Sequence, residues 1–231
     1  MHYPGGKGVS GVYQRLINQI PPHRVYIESH LGGGAIMRFK RPTQINIGID
    51  RDPDVLKMWS IPYVQAVCSD AAEFLKTYPF EGGEFVYSDP PYLPSTLRSD
   101  RSAYKMGYTE EQHIELLNVL YRLPCKVMIS GYWSPLYSDF LKDWRSLNFK
   151  VRNRSGTVAE EWVWMNYPEP EELHDYQYLG RNFRERERIR RKIGRWVDRL
   201  KSLSYSERSA LIERIQKTFS NPLGKEETGH E

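Results

Sequence analysis

Short apolar runs alternate with segments whose apolar positions recur at helical spacing. The runs predict strands at 24–28, 45–49, 63–68, 84–88 and 125–130. Between and before them the spacing predicts helices at 9–20, 33–39, 53–60, 70–77, 109–121 and 135–142. Two last strands, near 147–153 and 158–166, are expected to form an antiparallel hairpin around Ser155-Gly156. Strand–helix alternation implies an α/β fold, with a mostly parallel sheet covered by helices on both faces. In Trp162-Val163-Trp164 the alternation puts both Trp rings on one sheet face, as core.

The pattern changes after Tyr167-Pro168-Glu169-Pro170, which reads as a linker. Ile189, Ile193, Trp196, Val197 and Leu200 follow helical spacing with arginines between them, and Ser204-x-x-Glu207 has the form of a capping box before a second helix. The expected organisation is a catalytic domain over 1–166, a linker and helical hairpin over 167–220, and a frayed tail over 221–231.

Charge sharpens this division. Residues 181–217 hold thirteen Lys/Arg against five Asp/Glu, an excess of +8, whereas the whole chain carries only +4. A local basic patch is the footprint of a polyanion partner. Arg184, Arg188, Arg191, Lys192 and Arg195 are the candidate contacts in this segment. Arg–Glu pairs at helical spacing, such as Arg181–Glu185 and Glu187–Arg191, offer the plainer explanation of a solvated face.

Composition adds mostly exclusions. The two cysteines, Cys68 and Cys125, have no metal-ligand spacing and read as buried thiols, and the six His are scattered. No metal site is expected. His113 reads as a core or surface side chain. The start lacks the pattern of a signal peptide, and no apolar run approaches the ~20 residues of a membrane span. A soluble, cytoplasmic protein of a bacterium or a phage-infected host cell is the expectation.

Candidate chemistry gathers at strand ends. Glu28, Asp50, Asp70 and Asp89 all lie where strands finish, and ligands of open α/β sheets bind outside those ends. Gly32-Gly33-Gly34 lets the backbone approach a ligand closely. The glycine pattern is incomplete for a dinucleotide fold, because Met37 stands where a third small residue is wanted. Gly5-Gly6-Lys7-Gly8 lacks the strand and spacing of a phosphate loop. In Asp89-Pro90-Pro91-Tyr92 the prolines stiffen the backbone, so that the Asp89 carboxylate and the Pro90 carbonyl become two fixed acceptors beside a flat ring. An amine on a planar ring would suit this loop, its two N–H groups on the acceptors and its ring on Tyr92.

These motifs occur in a telling order: Tyr3-Pro4-Gly5-Gly6-Lys7, Glu28–Gly34, Asp50, Asp70, Asp89–Tyr92 and Thr109-Glu110-Glu111-Gln112-His113. The order resembles the Dam-type DNA adenine N6-methyltransferases that use S-adenosylmethionine, small phage-like members included, over roughly residues 1 to 166. The resemblance implies a Rossmann-like methyltransferase sheet with one antiparallel strand. It implies catalytic roles for Asp89, Pro90, Pro91, Tyr92 and Lys7. It places Tyr3, Gly5, Gly6, Lys7, Glu28, His30, Gly32, Gly34, Asp50, Asp70 and Asp89 at the cofactor, with Asp50 on the ribose hydroxyls and Asp70 on the adenine amine. The implied partner is duplex DNA with its adenine flipped out; a homodimer or an accessory chain stays open. Arg98, Arg101, Tyr104, Lys105 and Tyr108, basic and aromatic residues interleaved after the loop, are expected to meet the flipped strand.

Two departures stand out. Ser29-His30 replaces the usual Pro-Phe. Only 38 residues separate Asp50 from Asp89, where Dam-type enzymes insert a target-recognition domain. Short or relaxed specificity is the consequence. An rRNA or tRNA adenine methyltransferase is the alternative enzyme, and a catalytically silent nucleic-acid-binding module is the alternative of another class.

Overall fold

The computed structural model describes residues 7–8, 11–96, 107–152 and 158–219. Two compact units divide the chain, one ending at Leu179 and the other starting at Gly180. The first holds seven strands: β1 Val25–Glu28, β2 Ile45–Asp50, β3 Gln65–Cys68, β4 Glu84–Ser88, β5 Lys126–Gly131, β6 Arg145–Arg152 and β7 Val158–Met165. They form one sheet in the order β3-β2-β1-β4-β5-β7-β6. Pairing is parallel from β3 through β5, and β7 runs antiparallel to both neighbours. This is the mostly parallel sheet with a single reversed strand that the resemblance implied.

Alternation along the strands builds two cores. Tyr26, Phe85, Tyr87, Met128, Val163 and Met165 point to one face, beneath helices α1 Val12–Ile17, α2 Ala35–Phe39 and α3 Pro53–Leu56. Ile27, Val86, Val127, Ile129 and Trp164 point to the other, beneath α4 Ala71–Thr77, α5 Glu110–Arg122 and α6 Pro135–Phe140. Trp162 stacks on Trp164 at 5.9 Å, on the shared face that the alternation predicted.

Polar side chains start several of these helices. Asp52, Asp70, Thr109 and Ser134 cap α3, α4, α5 and α6 by accepting backbone N–H groups. Thr109 and Gln112 complete a reciprocal capping box. In the glycine loop Gly34 has φ +53°, and a Cβ there would lie 2.1 Å from the Trp59 ring. Only glycine suits that position.

Two expectations need correction. The domain does not end at 166. Tyr167 donates to the Gln19 carbonyl, His174 N–H to the Ile20 carbonyl, and Asp175 accepts from Arg41 N–H, so the predicted linker is strapped to the first unit. Cys125 is buried, but Cys68 is exposed because β3 is an edge strand.

The second unit contains α7 Phe183–Lys201 and α8 Tyr205–Phe219, with Asn182 capping the first and Ser204–Glu207 starting the second. No residue of either helix is buried, and the two are not packed along one another. The two C-terminal helices that the spacing predicted are both present. The predicted tail from 221 lies outside the described residues.

Candidate active site

The ends of β1, β2, β3 and β4 converge on one edge of the sheet. At the end of β2, Asp50 Oδ2 accepts from Gly32 N–H at 2.8 Å and Oδ1 from Asp52 N–H at 2.9 Å. These bonds tie the glycine loop to the strand and orient the carboxylate. Burial raises the Asp50 pKa, with the two backbone donors opposing. Asp70, just past β3, uses Oδ1 to cap α4 through Ala72 and Glu73 N–H. Its Oδ2 accepts from the Tyr108 hydroxyl at 3.4 Å.

Glu28 is turned inward. Its Oε2 takes the Tyr26 hydroxyl and Met37 N–H, and burial pushes its carboxyl up to about 8. It supports α2 and the strand beneath the glycine loop. His30 is half-buried. Its Nδ1 meets the Ser29 hydroxyl at 3.0 Å, and its Nε2 meets the Tyr108 hydroxyl at 3.0 Å. Since Tyr108 donates to Asp70, Nε2 carries the imidazole proton. Burial lowers the His30 pKa to about 3, so the ring is neutral. Tyr108 thus links the loop after β1 to the acid after β3. Its placement on a flipped strand is corrected: the ring is 5% exposed and its hydroxyl lies between His30 and Asp70. His113 is core, with Nδ1 2.8 Å from the Tyr137 hydroxyl and its pKa lowered by burial to about 4.

A second cluster stands at the end of β4. Lys7 Nζ lies 2.7 Å from Asp89 Oδ1 and 2.9 Å from Glu161 Oε1. Burial works against the ammonium, but Asp89 and Glu161 outweigh it and hold the pKa well above the usual lysine value. Asp89 Oδ1 also accepts from the Ser130 hydroxyl at 2.9 Å, and Ser130 meets the Tyr87 hydroxyl at 2.8 Å. Both contacts fall on Oδ1; among the described residues no donor bonds Oδ2. Tyr92 donates to Glu161 Oε2 at 3.3 Å, and Lys7 Nζ is 5.4 Å from its ring centre. One face of the Tyr92 ring is stacked on Tyr132, with 4.0 Å between centres and 7° between planes. The arrangement is an oriented carboxylate beside an aromatic ring, with one oxygen tethered.

Residues 56–157 match a family described as D12 class N6 adenine-specific DNA methyltransferase. This stretch is similar to that family. It includes Asp70, the Asp89–Tyr92 loop and Ser130, while Lys7, Asp50 and Glu161 lie outside it. No curated protein matches the chain in sequence. Among solved structures the chain is similar to TrmK of M. capricolum, solved with S-adenosyl-homocysteine, at 12% identity over 91% of this chain and 97% of that one, with a TM-score of 0.46. It is also similar to an rRNA methylase of Streptococcus thermophilus, at 14% identity over 66% and 92%, TM-score 0.42. A third is a precorrin 8w decarboxylase of Methanobacterium thermoautotrophicum, at 12% identity over 71% and 91%, TM-score 0.44. No substrate follows from likenesses at this level.

Of the anticipated site residues, the structure gathers Lys7, Asp89 and Tyr92 in one cluster. Gly32, Asp50, Asp70 and His30 belong to a second group, linked by hydrogen bonds and by β2–β3 pairing. Tyr3, Gly5, Gly6, Arg98, Arg101, Tyr104 and Lys105 lie outside the described residues. Sequence reasoning missed Glu161, Ser130 and Tyr132. For Glu161 a signal existed: alternation puts it on the face of Val163 and Met165, an acid at a core position. Among the described residues no His/Cys/Asp/Glu group could hold a metal, and no helix is long and apolar enough to cross a membrane.

On α7, Arg184, Arg188, Arg191 and Arg195 recur at 4-3-4 spacing and share one face, all exposed, with Lys192 beside them. Ile189, Ile193, Trp196 and Leu200 repeat that spacing on another side. Glu185 pairs with Arg188 at 3.7 Å and Glu187 with Arg190 at 2.7 Å. Glu187 thus pairs with Arg190 in place of the expected Arg191.

Replacing Asp50 by alanine should loosen the glycine loop and remove the acceptor that the resemblance assigns to the cofactor. A hydrogen bond to a charged group contributes ~1.5–3 kcal/mol, so affinity for S-adenosyl-homocysteine should fall roughly 10- to 150-fold. Titration calorimetry measures this, and unchanged affinity in the folded variant would remove Asp50 from the site.

Proposed function

We propose that this chain transfers a methyl group from S-adenosylmethionine to the N6 amine of adenine in DNA, as an adenine-specific DNA methyltransferase. The observation that carries this reading is Asp89, tethered through Oδ1 by Lys7 and Ser130 in a rigid Asp-Pro-Pro-Tyr loop. The match of residues 56–157 to the D12-class family, which includes that loop, supports it.

The residues fit the cofactor. Asp50 and Asp70 close two adjacent parallel strands, and a glycine loop bonded to Asp50 runs beside them. Oriented carboxylate acceptors suit ribose hydroxyls and an adenine amine. In this reading Asp50, Asp70, Gly32 and Gly34 hold the cofactor, and neutral His30 keeps Tyr108 and Asp70 in place. Tyr3, Gly5 and Gly6 join them by the resemblance. When bound, S-adenosylmethionine supplies an electrophilic methyl group on a positively charged sulfur.

The chain's own task is the amine. The lone pair on N6 is delocalised into the adenine ring and attacks poorly. Asp89 Oδ2 and the Pro90 carbonyl accept the two N–H groups and draw them from the ring plane, which localises the lone pair. Pro91 stiffens the loop, and Tyr92 meets the base face. Holding two reactants in line can supply ~7–11 kcal/mol of the barrier. A duplex adenine must first leave the stack, which costs a few kcal/mol. Labelled methyl transfer to plasmid DNA, rRNA and tRNA in parallel tests the reading. Incorporation confined to RNA would move the substrate, and none into any would leave a binding module.

Specificity should be short or relaxed. Good bidentate base contacts supply ~1–3 kcal/mol of discrimination each, and the stretch between Asp50 and Asp89 has no room for a reading domain. Methylated adenines in treated plasmid should occupy sites of four base pairs or fewer, or many contexts. A strict site of six or more bases found by sequencing would contradict this.

A further inference from the structure

Glu161 does something the loop motif does not account for. It sits on the reversed strand β7, 3% exposed, on the face shared with Val163 and Met165. Burying a carboxylate costs several kcal/mol unless it is paired, and packing alone would favour an apolar side chain. Its two oxygens hold two different segments: Oε1 meets Lys7 Nζ at 2.9 Å, and Oε2 accepts from the Tyr92 hydroxyl at 3.3 Å.

We propose that Glu161 is the positioning residue of the amine site, sharing Lys7 with Asp89 and orienting Tyr92 so that Asp89 stays an effective acceptor. The proposal rests on the methyl-transfer reading above. Lys7 is almost equidistant from the two carboxylates, at 2.7 and 2.9 Å. Its charge is therefore divided, and Asp89 keeps most of its negative character for the N–H groups of the target. One ammonium between two carboxylates is not a balanced pair: burial raises the Glu161 pKa, and Lys7 opposes that rise. Without Glu161, Lys7 would belong wholly to Asp89 and weaken it as an acceptor.

Among the described residues, the titratable groups around Glu161 are Lys7 from the N-terminal segment, and Asp89 and Tyr92 from the loop after β4. Tyr87 of β4 reaches it only through Ser130 and Asp89. The partner of Glu161 on β6 is Phe149, which does not titrate.

Glu161→Gln keeps the shape but removes the charge, and one amide cannot accept from both Lys7 and Tyr92. It should lower kcat roughly 10- to 100-fold, the rate equivalent of one lost bond to a charged group. Affinity for S-adenosyl-homocysteine should stay the same. In a Lys7→Met background the same substitution should add little, because its main effect passes through Lys7. The Lys7 ammonium, followed by NMR in lysine-labelled protein, should titrate at lower pH in E161Q than in wild type. Glu161→Asp, which keeps the charge, should leave that titration high and lose the bond to Tyr92. Unchanged kcat, a loss fully additive with Lys7→Met, or an unchanged Lys7 titration would each overturn the proposal. If the wild type methylates no adenine, the function reading fails instead. The Lys7 titration needs no substrate and still decides the link.

Discussion

Asp89→Ala will leave a folded protein that binds S-adenosyl-homocysteine normally and transfers no methyl group. It should fold because Lys7 loses only one of two partners: Glu161 remains 2.9 Å away, so no buried cation is stranded. Cofactor affinity should hold because Asp50 and Asp70 stand at other strand ends, and neither has a recorded bond to Asp89. Turnover should fall by about 10³-fold or more. A single preorganised polar partner at a reacting centre contributes roughly 10²–10³, and Asp89 also helps to position the base. Asp89→Asn should fail similarly, since the amide presents an N–H₂ group where an acceptor is needed. Single-turnover methylation with labelled cofactor measures the effect, and a variant keeping a tenth of wild-type activity would refute the mechanism.

We propose that the arginine face of α7 governs affinity for nucleic acid. Changing Arg184, Arg188, Arg191 and Arg195 together to glutamine should reduce the slope of log affinity against log salt by about 3–4, since each lost phosphate contact removes ~0.9 for duplex DNA. Near physiological salt the affinity loss should be about 10²–10³-fold, similar across sequences because phosphate contacts carry no sequence information. The Glu185–Arg188 and Glu187–Arg190 pairs do not neutralise this face, because Arg184, Arg191 and Arg195 take part in neither. Cofactor binding should not change. An unaltered salt slope would assign the helix to folding or to another partner.

The sheet was legible because its signal is local. Each strand is a short apolar run closed by a polar residue, and Asp70, Thr109 and Ser134 mark helix starts through caps that act within three residues. Asp89 and Tyr92 were legible for the same reason, lying three positions apart in a stiff loop. Glu161 and Ser130 were not. They reach Asp89 and Lys7 only because the sheet order sets β4, β5 and β7 side by side, and no residue spacing encodes that order. Tyr108 was misplaced because an aromatic next to basic residues looks the same in sequence whether it faces solvent or closes over Asp70. The end of the first unit was misread at Tyr167-Pro168, since a Pro-rich stretch can be strapped to a core by backbone bonds to distant residues.

The position of β7 also bears on how the protein folds. Residue 161 must travel past the earlier strand β6 to lie between it and β5, and only then does it meet residue 7, 154 positions away in the chain. Contacts so distant in sequence carry the loop-closure penalty that slows folding. The parallel half, β1 to β5, can pair earlier, with Asp50 already bonded to the glycine loop. Competence to bind a nucleoside would then precede competence to use it, and time-resolved hydrogen exchange should see β2 protected before β7.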